Sequence, residues 1–109
     1  MFYNCKNLTS VDLSSFGSER VNKMQYMFYE CTNLRNVDFS FFKTENVTNM
    51  EFMFYGCKSS LNIDLSSFNV KNIKKTTLIF DGCQSLRKVK IPEELFLKMS
   101  ESKLLLIDL

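Results

Sequence analysis

Four cysteines, Cys5, Cys31, Cys57 and Cys83, recur at one constant interval without an insertion or deletion. Evenly spaced thiols leave three possibilities: metal ligation, disulfide bonding, or a ladder of free thiols packed in a core. Zinc sites want close pairs such as Cys-x-x-Cys, or histidine partners. This chain has no such pair and no histidine. If the repeats stack as parallel coils, equivalent residues lie about 4.8 Å apart, further than the ~3.8 Å between β-carbons that a disulfide prefers. The column therefore reads as a structural ladder of buried free thiols, with neither metal nor cofactor.

Asp12, Asp38 and Asp64 keep the same step, and Lys90 takes the fourth place. Each Asp stands between two apolar residues (Val11 and Leu13, Val37 and Phe39, Ile63 and Leu65), so a two-residue period turns the carboxylates away from the core. Ser10, Asn36, Asn62 and Lys88 flank them on one side, and Ser14, Ser40 and Ser66 on the other. Like charges about 5 Å apart repel, which a cation, a basic partner or neighbouring hydroxyls relieve. The plain reading is a repeat signature in which each Asp bonds its neighbours. As a binding surface, the candidates are Asp12, Asp38, Asp64, Asn36, Asn62, Lys88 and Lys90. No histidine and no glycine-rich phosphate loop accompany them. Nothing joins a nucleophile to a base, and the expectation is a protein that is not an enzyme.

Positioning these columns takes one strand per repeat. Leu8-x-x-Val11-Asp12-Leu13 returns as Leu34-x-x-Val37-Asp38-Phe39, then as Ile63-Asp64-Leu65 and as Leu86-x-x-Val89-Lys90-Ile91. Their alternation predicts short parallel strands around residues 10–13, 36–39, 62–65 and 88–91. The third repeat departs, with Ser60 in the leucine slot and Leu61 one place late, which predicts a local shift without a change of register. Phe16, Phe42 and Phe68 follow the strands; Val21, Met24, Met27 and Phe28 then return as Val47, Met50, Met53 and Phe54. Spacings of three and four predict a helical turn or two. The fold class expected is α/β: a leucine-rich-repeat solenoid of 4–5 coils, each spanning one cysteine interval with one short parallel strand and one short helix. The coils fall near 1–26, 27–52, 53–78 and 79–91, in a single repeat domain over 1–109.

The second half of the pattern is as regular as the first. Each Cys closes a phrase, Met1-Phe2-Tyr3-Asn4-Cys5, Met27-Phe28-Tyr29-Glu30-Cys31, Met53-Phe54-Tyr55-Gly56-Cys57 and the weaker Ile79-Phe80-Asp81-Gly82-Cys83. With Val37-Asp38-Phe39-Ser40, Ile63-Asp64-Leu65-Ser66 and Phe41-Phe42-Lys43-Thr44-Glu45-Asn46-Val47-Thr48-Asn49-Met50, these phrases resemble the leucine-rich repeats of the bacterial surface protein A type over residues 1 to 91. They are also similar to the repeats of mycoplasma-type surface lipoproteins. Phe stands at 16, 42 and 68 where that family often carries Trp, which leaves the core reading intact. The resemblance implies a cell-surface or extracellular protein engaged in adhesion or host contact, with a protein or glycan on another cell as partner.

Composition sets the outer limits. With 45% apolar residues and no long uncharged apolar run, the chain is expected to fold as one soluble domain without a transmembrane segment. Charge is uneven: residues 65–92 carry Lys71, Lys74, Lys75, Arg87, Lys88 and Lys90 against Asp81 alone. Most aromatics fall at core periods, which argues against a nucleic-acid partner. Tyr3, Tyr29 and Tyr55 form a further column, read as covering the rim of the core. No basic and apolar leader precedes the first repeat, so no signal peptide is visible. Met1 fills the slot of Met27 and Met53, as a repeat methionine would, and the expectation is either a piece of a longer repeat protein or a short one whose open ends associate.

After Ile91 the pattern changes. Pro92 opens a helix over 93–99 with acids early and Lys late. Leu104-Leu105-Leu106-Ile107-Asp108-Leu109 then repeats the strand phrase, with Ile107 following Val89 by less than the full cysteine interval. Residues 92–109 thus form a helix with either a shortened fifth coil or a C-terminal cap. Two functions follow: an interaction module that binds through the strand face, or a structural spacer that self-associates end to end through uncapped coils.

Overall fold

The computed structural model describes residues 2–13, 22–39, 43–60, 62–99 and, as backbone, 107–108. Five short strands lie in it: β1 (Ser10–Asp12), β2 (Asn36–Asp38), β3 (Asn62–Asp64), β4 (Lys88–Lys90) and β5 (Ile107–Asp108), with one helix, α1 (Glu93–Lys98), between the last two. All pairing is parallel and holds the repeat register: Val11 faces Val37, and Ile63 faces Val89. β5 pairs with β4, Ile107 opposite Val89, so the shortened segment still reaches the strand side. The period-2 pattern explains the layering. Leu13, Phe39, Leu65 and Ile91, each just past its strand, are buried, while the residue before each of them is exposed.

The Met-Phe-x-x-Cys phrases form turns at 25–30, 51–56 and 77–82, where sequence spacing predicts helix; among the described residues α1 is the only helix. The backbone explains the difference. Tyr26, Phe52 and Leu78 have positive φ, as do Asn4, Glu30, Gly56 and Gly82 just before each Cys. A left-handed residue before and after each Met-Phe pair stops helix propagation. The amides instead bond across repeats: Phe2 donates to the Met27 carbonyl at 2.8 Å, Phe28 to Met53 at 2.8 Å and Phe54 to Ile79 at 2.9 Å. Lys23, Asn49 and Lys75 bridge on another side, so repeats are laced by this bridge and the phrases, and by strand pairing between β1 and β2 and from β3 to β5. Phe16, Phe42 and Val21 of the expected helical stretch lie outside the described residues, as do Ser14, Ser40 and Leu61.

Inside, equivalent residues stack on one another. Phe2, Phe28, Phe54 and Phe80 form a column with ring centroids 5.3, 5.5 and 5.7 Å apart and planes within 15°. Met24, Met27, Met50, Met53, Val47 and Ile79 complete a continuous core.

The strands divide into a two-stranded sheet, β1 and β2, and a three-stranded one, β3, β4 and β5. The division falls at the irregular third repeat. Ser60, in the leucine slot and buried, donates its hydroxyl to the Leu34 carbonyl at 2.9 Å. Phe39 occupies a place where β1, β3 and β4 are followed by Leu or Ile, and meets Phe28, Phe54 and Phe68 edge-on at 6.2, 6.2 and 5.0 Å. The bulkier ring and the polar Ser60 replace the usual aliphatic packing beneath the strands, while the phrase ladder runs on unbroken from Phe28 to Met53.

Past β4, α1 packs beside the segment 70–76. Leu95 is fully buried, and Phe96 and Met99 pack against the core. Lys98 donates to the carbonyls of Val70, Ile73 and Lys71 at 2.7, 3.0 and 3.2 Å. It stands one cysteine interval after Asn72, whose amide reaches the Glu45 carbonyl at 2.6 Å, as Asn33 reaches Lys6. The helix thus keeps one donor of the repeat in phase. No described helix is long and apolar enough to cross a membrane.

Candidate functional site

The strands bring all seven predicted face residues to one side. Ser10, Asn36, Asn62 and Lys88 form one exposed row, and Asp12, Asp38, Asp64 and Lys90 the next. Registered parallel pairing sets Asp12 beside Asp38 and Asp64 beside Lys90. The face is therefore acidic over the first three repeats and basic at the fourth. Ser66 lies at its margin and gives Asp64 two hydrogen bonds, from its amide at 2.9 Å and its hydroxyl at 2.5 Å. These bonds, helped by Lys90 and Lys88, hold the Asp64 carboxyl below the usual range against a modest opposing effect of burial.

Along β1 and β2 and the end of β3, the face opens into a groove of about 670 Å³ lined among others by Asp12, Asp38, Asp64, Val37, Phe39 and Ser67. Val11 and Val37, half-buried, give it an apolar floor between acidic rims. Regular alternation points only to the rims. The one departure from the repeat in its lining is Phe39, a ring where the other strands are followed by Leu or Ile.

The cysteines sit elsewhere, on the phrase side, and all four are free thiols. Cys31 and Cys57 are buried, while Cys5 and Cys83 are partly accessible. Each of the last three donates its Sγ hydrogen to the phenylalanine carbonyl of the preceding repeat: Cys31 to Phe2 at 2.9 Å, Cys57 to Phe28 at 3.1 Å and Cys83 to Phe54 at 3.1 Å. That carbonyl already accepts the amide of its own repeat's Cys, so the thiol serves as its second donor. Burial pushes the Cys31 and Cys57 thiols up, and Cys83 up to about 12, which disfavours the nucleophilic thiolate. Among the described residues no three His, Cys, Asp or Glu side chains gather in a group that could hold a metal ion.

Tyr3, Tyr29 and Tyr55 stack with centroids 5.3 and 5.1 Å apart. A second column that sequence reading overlooked runs beside them, Tyr26 on Phe52 at 5.0 Å. Tyr26 and Phe52 take the left-handed backbone conformation.

The strand face, the thiols and the tyrosines repeat with one phase, and comparison with known families gives that phase a place. A model described as Mycoplasma protein of unknown function, DUF285, matches residues 1–92. The chain belongs to that family. The DUF285 match covers all four cysteine phrases and β1 to β4, and stops at Pro92, immediately before α1. No match was found among curated proteins or solved structures. The strand face and its groove thus lie wholly within the DUF285 region, and α1 and β5 follow it.

Proposed function

We propose that this chain is a non-enzymatic interaction module, a leucine-rich-repeat solenoid of the bacterial surface protein A type whose strand face binds a protein or glycan on another cell. The observation that carries the reading is the strand face itself. Short side chains alternating with carboxylates, on registered rungs beside a groove with an apolar floor, make a surface open to a partner over several repeats at once. Affinity for a broad partner is concentrated in a few well-packed contacts within such a surface, and the groove offers a place for them. Family resemblance points to the cell surface, where adhesion repeats act.

Fluorescently labelled chain applied to a glycan array and to intact epithelial cells tests this. The triple variant D12N/D38N/D64N keeps side-chain size and removes the charge. It is expected to lose at least about tenfold in binding, equivalent to ~1.4 kcal/mol, with an unchanged circular dichroism spectrum. Equal binding by the folded triple variant would assign the contact to another face.

A further inference from the structure

The outward side of the phrase turns carries a continuous strip of aromatic rings. Tyr3, Tyr29 and Tyr55 stack in one column and Tyr26 on Phe52 in the next, with neighbouring planes inside a column within 11°. The columns also meet sideways: Tyr26 lies 6.2 and 5.2 Å from Tyr3 and Tyr29, and Phe52 lies 6.4 and 5.7 Å from Tyr29 and Tyr55. Because rings within a column lie face to face, the strip turns their edges to its surroundings, at a step of 5.0–5.3 Å. Tyr3 is 55% and Tyr26 39% exposed; with Leu97 they are the large apolar side chains exposed among the described residues.

The backbone holds two of these rings outward at a cost. Tyr26 and Phe52 have φ of 59° and 57°. A residue with a Cβ is strained there, and the other left-handed place of the phrase carries Asn4, Gly56 and Gly82 in three of its four copies. Asparagine or glycine would fold more easily at 26 and 52 as well. Ring stacking offsets some of the strain, and strained residues of this kind cluster where a protein contacts a ligand or partner. Charges flank the strip on both sides. Chain order puts Glu51 just ahead of the Phe52 and Tyr55 rings and Lys58 just after them, while Met53, Phe54 and Cys57 between them turn into the core. Glu51 is half-buried and Lys58 exposed.

We propose that this aromatic strip is the surface through which two copies of the chain pair side by side. The argument is charge complementarity on a shared period. An acid on one flank and a base on the other make the strip self-complementary: about a two-fold axis parallel to the stacking direction, two strips meet face to face, with Glu51 of each copy opposite Lys58 of the other on the same rung. Both copies carry rings at the same step, so every ring edge of one finds a ring of the other. Tyrosine and phenylalanine at the centre with charges at the rim is also the usual composition of a protein contact. The strip spans few rungs, so the pairing belongs to the weak, reversible class. It uses the phrase side and leaves the strand faces of both copies open, and it is therefore independent of the strand-face reading.

Sedimentation equilibrium of the full chain over a range of concentrations tests it. A monomer–dimer equilibrium is expected. Lys58→Glu changes an exposed side chain and leaves the core untouched; because the two-fold repeats each contact, it sets two like-charged pairs in the interface and is expected to weaken the dimer at least about tenfold. Adding Glu51→Lys to that variant restores both pairs with their signs exchanged, and is expected to bring the affinity back. The double variant Tyr26→Asn/Phe52→Asn, with a residue that tolerates the left-handed backbone, is expected to be monomeric. A strict monomer at ~1 mM chain would overturn the proposal, since pairing weaker than that is no specific contact. A dimer of unchanged affinity in Lys58→Glu, or one that the charge exchange fails to restore, would overturn it equally.

Discussion

Glu30 shows how a single residue carries the strain of the repeat's geometry. It has φ of 54° at a position where the third and fourth repeats place Gly56 and Gly82. A left-handed non-glycine residue costs about 1–2 kcal/mol, and glycine's extra chain entropy offsets part of the gain from replacing it. Glu30→Gly is therefore expected to stabilise the chain by about 0.5–1 kcal/mol in urea unfolding. Gly56→Ala should destabilise it, since φ of 72° strains any residue with a side chain there and the added Cβ would lie 3.1 Å from the Glu30 Cγ. The thiols make a pH prediction. Cys31, Cys57 and Cys83 have pKa values raised by burial above that of an unfolded thiol, about 8.5. Their contribution to stability is complete below that unfolded value and is lost as pH rises through the folded ones, as linkage requires. Chemical denaturation at stepped pH is expected to show a midpoint that falls above pH ~8.5. Cys57→Ala should flatten the fall while lowering the midpoint at neutral pH.

At the scale of elements, the strands were legible and the turns were not. Val11-Asp12-Leu13 and its successors alternate cleanly, and period 2 has one structural meaning on a half-buried surface. Met24, Met27 and Phe28 show helical spacing because they line a tight bend, where residues three and four apart also share a face. Only backbone angles separate the two, and Tyr26 and Phe52, bulky residues with φ of 59° and 57°, give no warning in their side chains. The helix α1 carries its own signal, with Pro92 ahead of it, Glu93 and Glu94 in the first turn and Lys98 in the last. Its role as an anchor rests on Lys98, which also lies 3.8 Å from Glu94. Lys98→Met keeps the aliphatic stem and leaves three carbonyls without their donor. Partial exposure tempers the cost, expected at about 1–2 kcal/mol by urea unfolding. Lys98→Arg is expected to recover part of it.

At the scale of the whole molecule, the cysteine period located the first four rungs, but it could not foresee where the rungs separate. The candidate face of Asp12, Asp38, Asp64, Asn36, Asn62, Lys88 and Lys90 was readable because its residues share one phase. The groove was not, because its lining is drawn from three repeats and includes the Phe39 ring, a combination that no single repeat contains. A DUF285 chain built this way spreads its polar face over several rungs, with acidic side chains on three of them and lysines on the fourth. The most direct test of binding through that face is carboxyl footprinting with a carbodiimide and an amine tag, read by mass spectrometry on free chain and on chain bound to intact epithelial cells. Asp12, Asp38 and Asp64 are expected to lose labelling on binding while Glu93 and Glu94 on α1 keep theirs. Undiminished labelling of the three aspartates in the bound chain would contradict the account.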